Sequence, residues 1–218
     1  MKNKDLWDII TLIEIIAAAT IIIFDVFIPT IPILGMITIS LLIRHENIAS
    51  LGFKKIKNGL QMAGVVLLSV ATWQLLQIGL TMPVLNHLTG TRQDLSAFVN
   101  LKGNLSQLLL YLVLTWTLAA FGEELVYRGY LLKRLGELFG SNFIGLILAV
   151  GISSLLFGVA HTEQGFIGVI LTTLDALFFS WLNLKYDNNL WASTLAHGFS
   201  NSIGLFTFYF MGPIYGLW

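Results

Sequence analysis

Three short patterns carry nearly all the residues in this chain that could do chemistry. They are Glu123-Glu124-Leu125-Val126-Tyr127-Arg128, Phe157-Gly158-Val159-Ala160-His161 and His197-Gly198-Phe199-Ser200-Asn201. Each sits in or beside a long apolar run, where an ionisable residue costs about 2.5–3.5 kcal/mol near the bilayer centre on insertion scales. Such groups persist in a bundle when they are paired or when they react. Glu124 and Arg128 are four apart with the acid first, the favoured order for an intrahelical ion pair. Glu123 lies about 100° round the helix without a local partner, free to accept a proton as a general base. Phe157/His161 and His197/Asn201 are each one turn apart, so each pair shares a helix face. If the three faces converge, the pocket holds a carboxylate, two imidazoles and a carboxamide. That set can deprotonate a water and stabilise an oxyanion, the two needs of peptide hydrolysis.

The elements that must position these groups are membrane helices. Hydrophobic residues make up 56% of the chain and charged residues 11%, against about 45–50% and 25% in soluble proteins. Continuous apolar windows recur along the whole length, which argues for a polytopic all-α transmembrane bundle and against an alternating β-barrel. The expected spans are Leu6–Phe27, Ile31–Ile43, Leu60–Met82, Leu105–Gly122 with a helical continuation, Phe143–Ala160, Phe166–Leu184 and Leu190–Phe210. That makes about seven, with a range of six to eight because the second is short. Residues 1–218 read as one integral-membrane domain, with the motif-bearing core at about 105–210.

Lys2, Lys4, Arg44, Lys54, Lys55, Lys57, Lys133, Arg134 and Lys185 fall on one side of an alternating seven-span bundle. The positive-inside rule then puts the N-terminus in the cytoplasm and the 83–104 loop outside. Zero net charge and the lack of a basic block exclude a nucleic-acid role. The absence of cysteine removes disulfide and thiolate chemistry. Glu14, Asp25 and Asp175 have no clear partners in the sequence and read as bundle-facing or interfacial. His87 reads as solvated, and Trp73, Trp116, Trp181 and Trp191 as interfacial or packing residues. Gly122, Gly129, Gly158 and Gly198 read as sites of close helix approach.

The order E-E-x-x-x-R, F-x-x-x-H, H-x-x-x-N on successive apolar helices resembles the type II CAAX prenyl endopeptidases and the bacteriocin-processing or immunity proteins, the CPBP or Abi family. The resemblance spans roughly Phe121 to Asn201. It implies an intramembrane endopeptidase in which Glu123 is the catalytic base, His161 helps activate the water, and His197 and Asn201 bind the oxyanion. Glu124, Arg128 and Phe157 then support the architecture. It also implies a peptide or membrane-protein substrate in the lipid bilayer of a cell membrane, reached from the cytoplasmic side or laterally. Short length and isoleucine richness suit a bacterial source, and a bacteriocin leader or signalling peptide as substrate. Oligomeric state is open.

The cofactor expectation is none. The alternative is zinc held by Glu123, His161 and His197 with water as fourth ligand, against which stand the lack of a spare carboxylate as base and the absence of H-E-x-x-H. Two other functional readings stand beside proteolysis. One is a non-proteolytic immunity or scaffold protein of the same fold; the other is a proton-coupled transporter, for which no duplicated half is visible.

One tension is geometric. Glu123 is ~11 residues, or about 16 Å, above Arg134 along its helix, whereas His161 comes ~18 residues into an ascending span. The fifth span must therefore tilt, or begin deeper, near Gly145–Ile147.

Overall fold

The computed structural model describes residues 2–140 and 142–218, with no strand among them. Seven helices make the body: α1 Lys2–Ile23, α2 Thr30–Arg44, α3 Gly59–Thr89, α4 Leu105–Phe139, α5 Phe143–Val159, α6 Gly165–Lys185 and α7 Leu190–Met211. Helices α1, α3, α4 and α6 (the last with the short turn Thr162–Gln164 before it) are long and apolar enough to cross a membrane. Helices α2 and α5 are apolar but shorter, 15 and 17 residues.

Asparagine starts four of these helices. The side-chain oxygens of Asn58, Asn104, Asn142 and Asn189 accept from the backbone N–H of Gln61, Gln107, Gly145 and Trp191, capping α3, α4, α5 and α7. Gly140, at φ +85°, closes α4 in a conformation that L side chains rarely adopt, and α5 follows almost at once.

Two helices depart from α geometry, and both departures fall beside the motifs. α3 becomes a π-helix over Gln77–Thr81 and α4 over Thr115–Glu123 and Leu125–Leu131. The expected end of the third span at Met82 is seven residues early. Pro83 does not break α3, because it falls in the first turn of the α segment that follows the π stretch, where a missing N–H costs little.

One end of the bundle gathers the basic residues. Arg44 at the end of α2 bonds Glu14 at 2.6 Å and Thr11 at 2.9 Å on α1, so Glu14 is a half-buried acid with a partner that the sequence did not reveal. Lys133 and Arg134 at the foot of α4 pair with Glu46 in the α2–α3 loop. Lys54 bonds the Asp187 carbonyl, and the Leu190 N–H bonds the Gly52 carbonyl, which ties the α6–α7 turn to the same loop. At the opposite end the 90–104 segment meets the α5–α6 turn and the end of α7: Asp94 N–H bonds Gln164 O, and Gly103 N–H bonds Tyr209 O.

The length of α4 eases the height tension. α5 begins at Phe143, not deeper. α4 runs on past Arg134 to Phe139, which leaves Glu123 up to about 24 Å above its foot against about 27 Å for His161 above Phe143. The two residues come to the same level because the adjoining feet of α4 and α5 lie five residues below Arg134.

Candidate functional site

Glu123, His161, His197 and Asn201 all line one cavity of about 530 Å³, walled by α3, α4, α5, α6 and α7. The three motif faces therefore converge. Glu123 is half-buried, and its Oε2 is inaccessible and has no hydrogen-bond partner. A buried, unpaired carboxylate oxygen is an expensive acceptor to keep.

Glu124 is fully buried and does more than brace its helix. Its Oε1 accepts from Arg128 at 2.8 Å and from His197 Nδ1 at 3.0 Å. Arg128 also donates to the Ala176 carbonyl at 2.9 Å and lies over the Phe157 ring at 4.7 Å and the Phe179 ring at 5.5 Å. The ion pair expected from spacing is present although this stretch of α4 is π-helical, where backbone bonds run i to i+5. What spacing alone did not reveal is that the pair reaches across to α7 and holds His197.

The ring nitrogens follow from their partners. His161 Nδ1 lies 2.8 Å from the Phe157 carbonyl oxygen, which can only accept, so Nδ1 carries the hydrogen and a neutral ring presents its Nε2 lone pair. His197 Nδ1 faces a carboxylate and likewise donates. Its Nε2 faces away from that contact and donates only when the ring carries both protons. Phe157, 2% exposed, packs between them, its ring 4.7 Å from that of His161 and 5.7 Å edge-on from that of His197; Phe179 stacks on His197 at 5.1 Å. Aromatic walls fix both imidazoles in place. Asn201 lines the cavity one turn beyond His197, and Gln74 bonds the adjacent Ser200 hydroxyl.

One cavity residue was misread from sequence. Asp175 on α6 is not partnerless: its Oδ1 accepts from Trp73 Nε1 at 2.6 Å and Gln77 Nε2 at 2.7 Å, both on α3. Trp73 is a hydrogen-bond donor as well as a packing residue. The signal available was a lone acid at mid-helix, but its partners lie about a hundred positions earlier in an otherwise apolar helix. His87 is exposed on the last turn of α3, as expected, and Asp25 is exposed in the α1–α2 turn.

No group of three or more His, Asp and Glu side chains gathers as a metal site does among the described residues. Each histidine commits Nδ1 to a protein acceptor, so the zinc alternative would have to draw on two Nε2 atoms and Glu123.

The cavity lining reaches the 90–104 segment and the α5–α6 turn. Its outer lining is Gln93, Leu95, Ala97, Phe98, Glu163 and Gln164, and none of its lining comes from the loops at the basic end. Ala97 and Glu163 are exposed.

No curated protein and no solved structure matches the chain. Residues 105–203 match the family model described as type II CAAX prenyl endopeptidase Rce1-like. That stretch runs from the start of α4 into α7 and contains all three motifs; α1, α2 and α3 lie outside it. The motif-bearing segment is thus a match to the Rce1-like type II CAAX prenyl endopeptidase family, and the resemblance carried by E-E-x-x-x-R, F-x-x-x-H and H-x-x-x-N holds at family level.

Proposed function

We propose that this protein is an intramembrane endopeptidase that hydrolyses a peptide bond with a water activated by Glu123 and His161. The observation that carries the reading is the shared cavity of about 530 Å³ into which Glu123, His161, His197 and Asn201 arrive from α4, α5 and α7. The match of residues 105–203 to a protease family supports the class of reaction.

In this reading Glu123 takes a proton from the water as it attacks the scissile carbonyl, and His161 Nε2 accepts a hydrogen bond from the same water. The oxyanion that forms receives hydrogen bonds from His197 Nε2 and the Asn201 carboxamide. Glu123 then returns the proton to the departing amine. Glu124, itself held by Arg128, orients the His197 ring. Apolar and aromatic side chains such as Leu118, Phe157, Leu171 and Phe179 share the walls with Gln74, Gln77 and Asp175.

Comparative peptidomics of membranes carrying wild type or Glu123→Ala tests this. Expected are peptides released only by the wild type, at equal membrane abundance of the two proteins. Unchanged peptide profiles would overturn the reading. Loss of one oxyanion donor in Asn201→Ala is expected to lower kcat by about 10²–10³. The reading uses no metal, so cleavage is expected to survive chelation. Activity lost to a chelator and restored by zinc would instead assign Glu123, His161 and His197 as ligands.

A further inference from the structure

The polar exposed lining of the cavity and the basic residues of the bundle lie at opposite ends. The foot of α4, the α2–α3 loop and the α6–α7 turn are joined by Lys133–Glu46, Lys54–Asp187 and Leu190–Gly52 contacts. Arg44, Lys54, Lys55, Lys57, Lys133 and Lys185 stand at that end. Among the described residues, Arg92 and Lys102 are the only Lys or Arg at the other end, and Arg128 is buried between the two. Short basic loops remain in the cytoplasm. The rim residues Gln93, Ala97 and Glu163 belong to the 90–104 segment and the α5–α6 turn, at the weakly basic end.

We propose that the cavity opens on the non-cytoplasmic face of the membrane, so that its substrate is a peptide segment presented from outside or emerging there from the bilayer. The lining suits such a segment. Leu95, Phe98, Tyr111, Leu118 and Phe208 give it an apolar and aromatic part. It contains no Lys or Arg to receive a free peptide carboxylate, so recognition falls on the apolar body of the chain rather than on a C-terminal end. The identity of the cleaved peptide as substrate rests on the proteolytic reading; the side of access does not.

The chain has no cysteine, so single cysteines report on themselves. Ala97→Cys and Glu163→Cys mark the rim, Lys55→Cys and Lys185→Cys the basic end, each made in the full-length protein in intact cells. A charged, membrane-impermeant maleimide is expected to label the two rim positions in intact cells and the two basic-end positions only after permeabilisation. Rim labelling that requires permeabilisation, or labelling of both ends in intact cells, would overturn the proposal. All four positions are surface sites, and using two per end guards against one substitution disturbing the fold. If the rim labels from outside while Glu123→Ala leaves the peptidome unchanged, access stands and proteolysis falls.

Discussion

The His197–Glu124–Arg128 chain sets how the site tolerates change. Glu124 is 0% and Arg128 4% exposed, and removing one partner of a buried ion pair leaves an uncompensated charge, at a cost of about 3–5 kcal/mol. Arg128→Met and Glu124→Gln are therefore each expected to lower the thermal midpoint in detergent, although Arg128 keeps its bond to the Ala176 carbonyl in the latter and Glu124 its bond from His197 in the former. Both are expected to lower activity, because both loosen His197. The measurements are a detergent melting curve and a turnover assay side by side. At this scale the sequence showed which residues matter but not how they are wired. Spacing revealed the Glu124–Arg128 pair. The bond from Glu124 to His197 spans 73 positions and that from Trp73 to Asp175 spans 102, and no local pattern encodes such distances.

Helices meet closely where glycine permits it. A Cβ on Gly158 of α5 would overlap the Thr173 hydroxyl of α6, and one on Gly129 of α4 would sit 3.2 Å from the Leu51 carbonyl. Gly158→Ala is expected to destabilise by about 1–3 kcal/mol through overpacking. Thr173→Ala in the same chain should recover part of that; the Val169 carbonyl, 2.7 Å from the added carbon, accounts for the remainder. Melting curves of the single and double variants check this. Helix positions were legible because unbroken hydropathy marks them, and the four motif-flanking glycines were legible as contact points. The π stretches were not. Hydropathy specifies that a segment is helical and apolar but not whether its backbone bonds close at i+4 or i+5, and the widened turns of α4 lie at Glu123.

For the molecule as a whole, the basic end is a charged seam that ties three connections together. Partial burial alone would raise the Glu46 carboxyl, but the Lys133 ammonium and Arg134 guanidinium outweigh it and hold Glu46 at about 2, below its ordinary 4.5. A carboxyl lowered on folding stabilises fully above its unfolded value, and that stability is lost as pH falls through the folded one. Detergent-solubilised protein is thus expected to lose stability between about pH 4.5 and pH 2, with a shallower loss in Glu46→Gln. Membrane character and the direction of charge asymmetry were plain from composition. The direction in which the cavity opens was not, since it depends on how the 90–104 segment and the α5–α6 turn seat against each other.

The brevity of α5 matters beyond packing. Its 17 residues reach about 25 Å, several ångströms short of a typical hydrocarbon layer of about 30 Å. Thinning of the adjoining lipid is one way a bilayer meets so short a helix, and thinning there would bring the aqueous boundary toward His161 and shorten the path a solvent molecule travels to Glu123. Hydrolysis should accordingly weaken as acyl chains lengthen, and reconstitution into a series of phosphatidylcholines of increasing chain length would reveal that dependence on bilayer thickness.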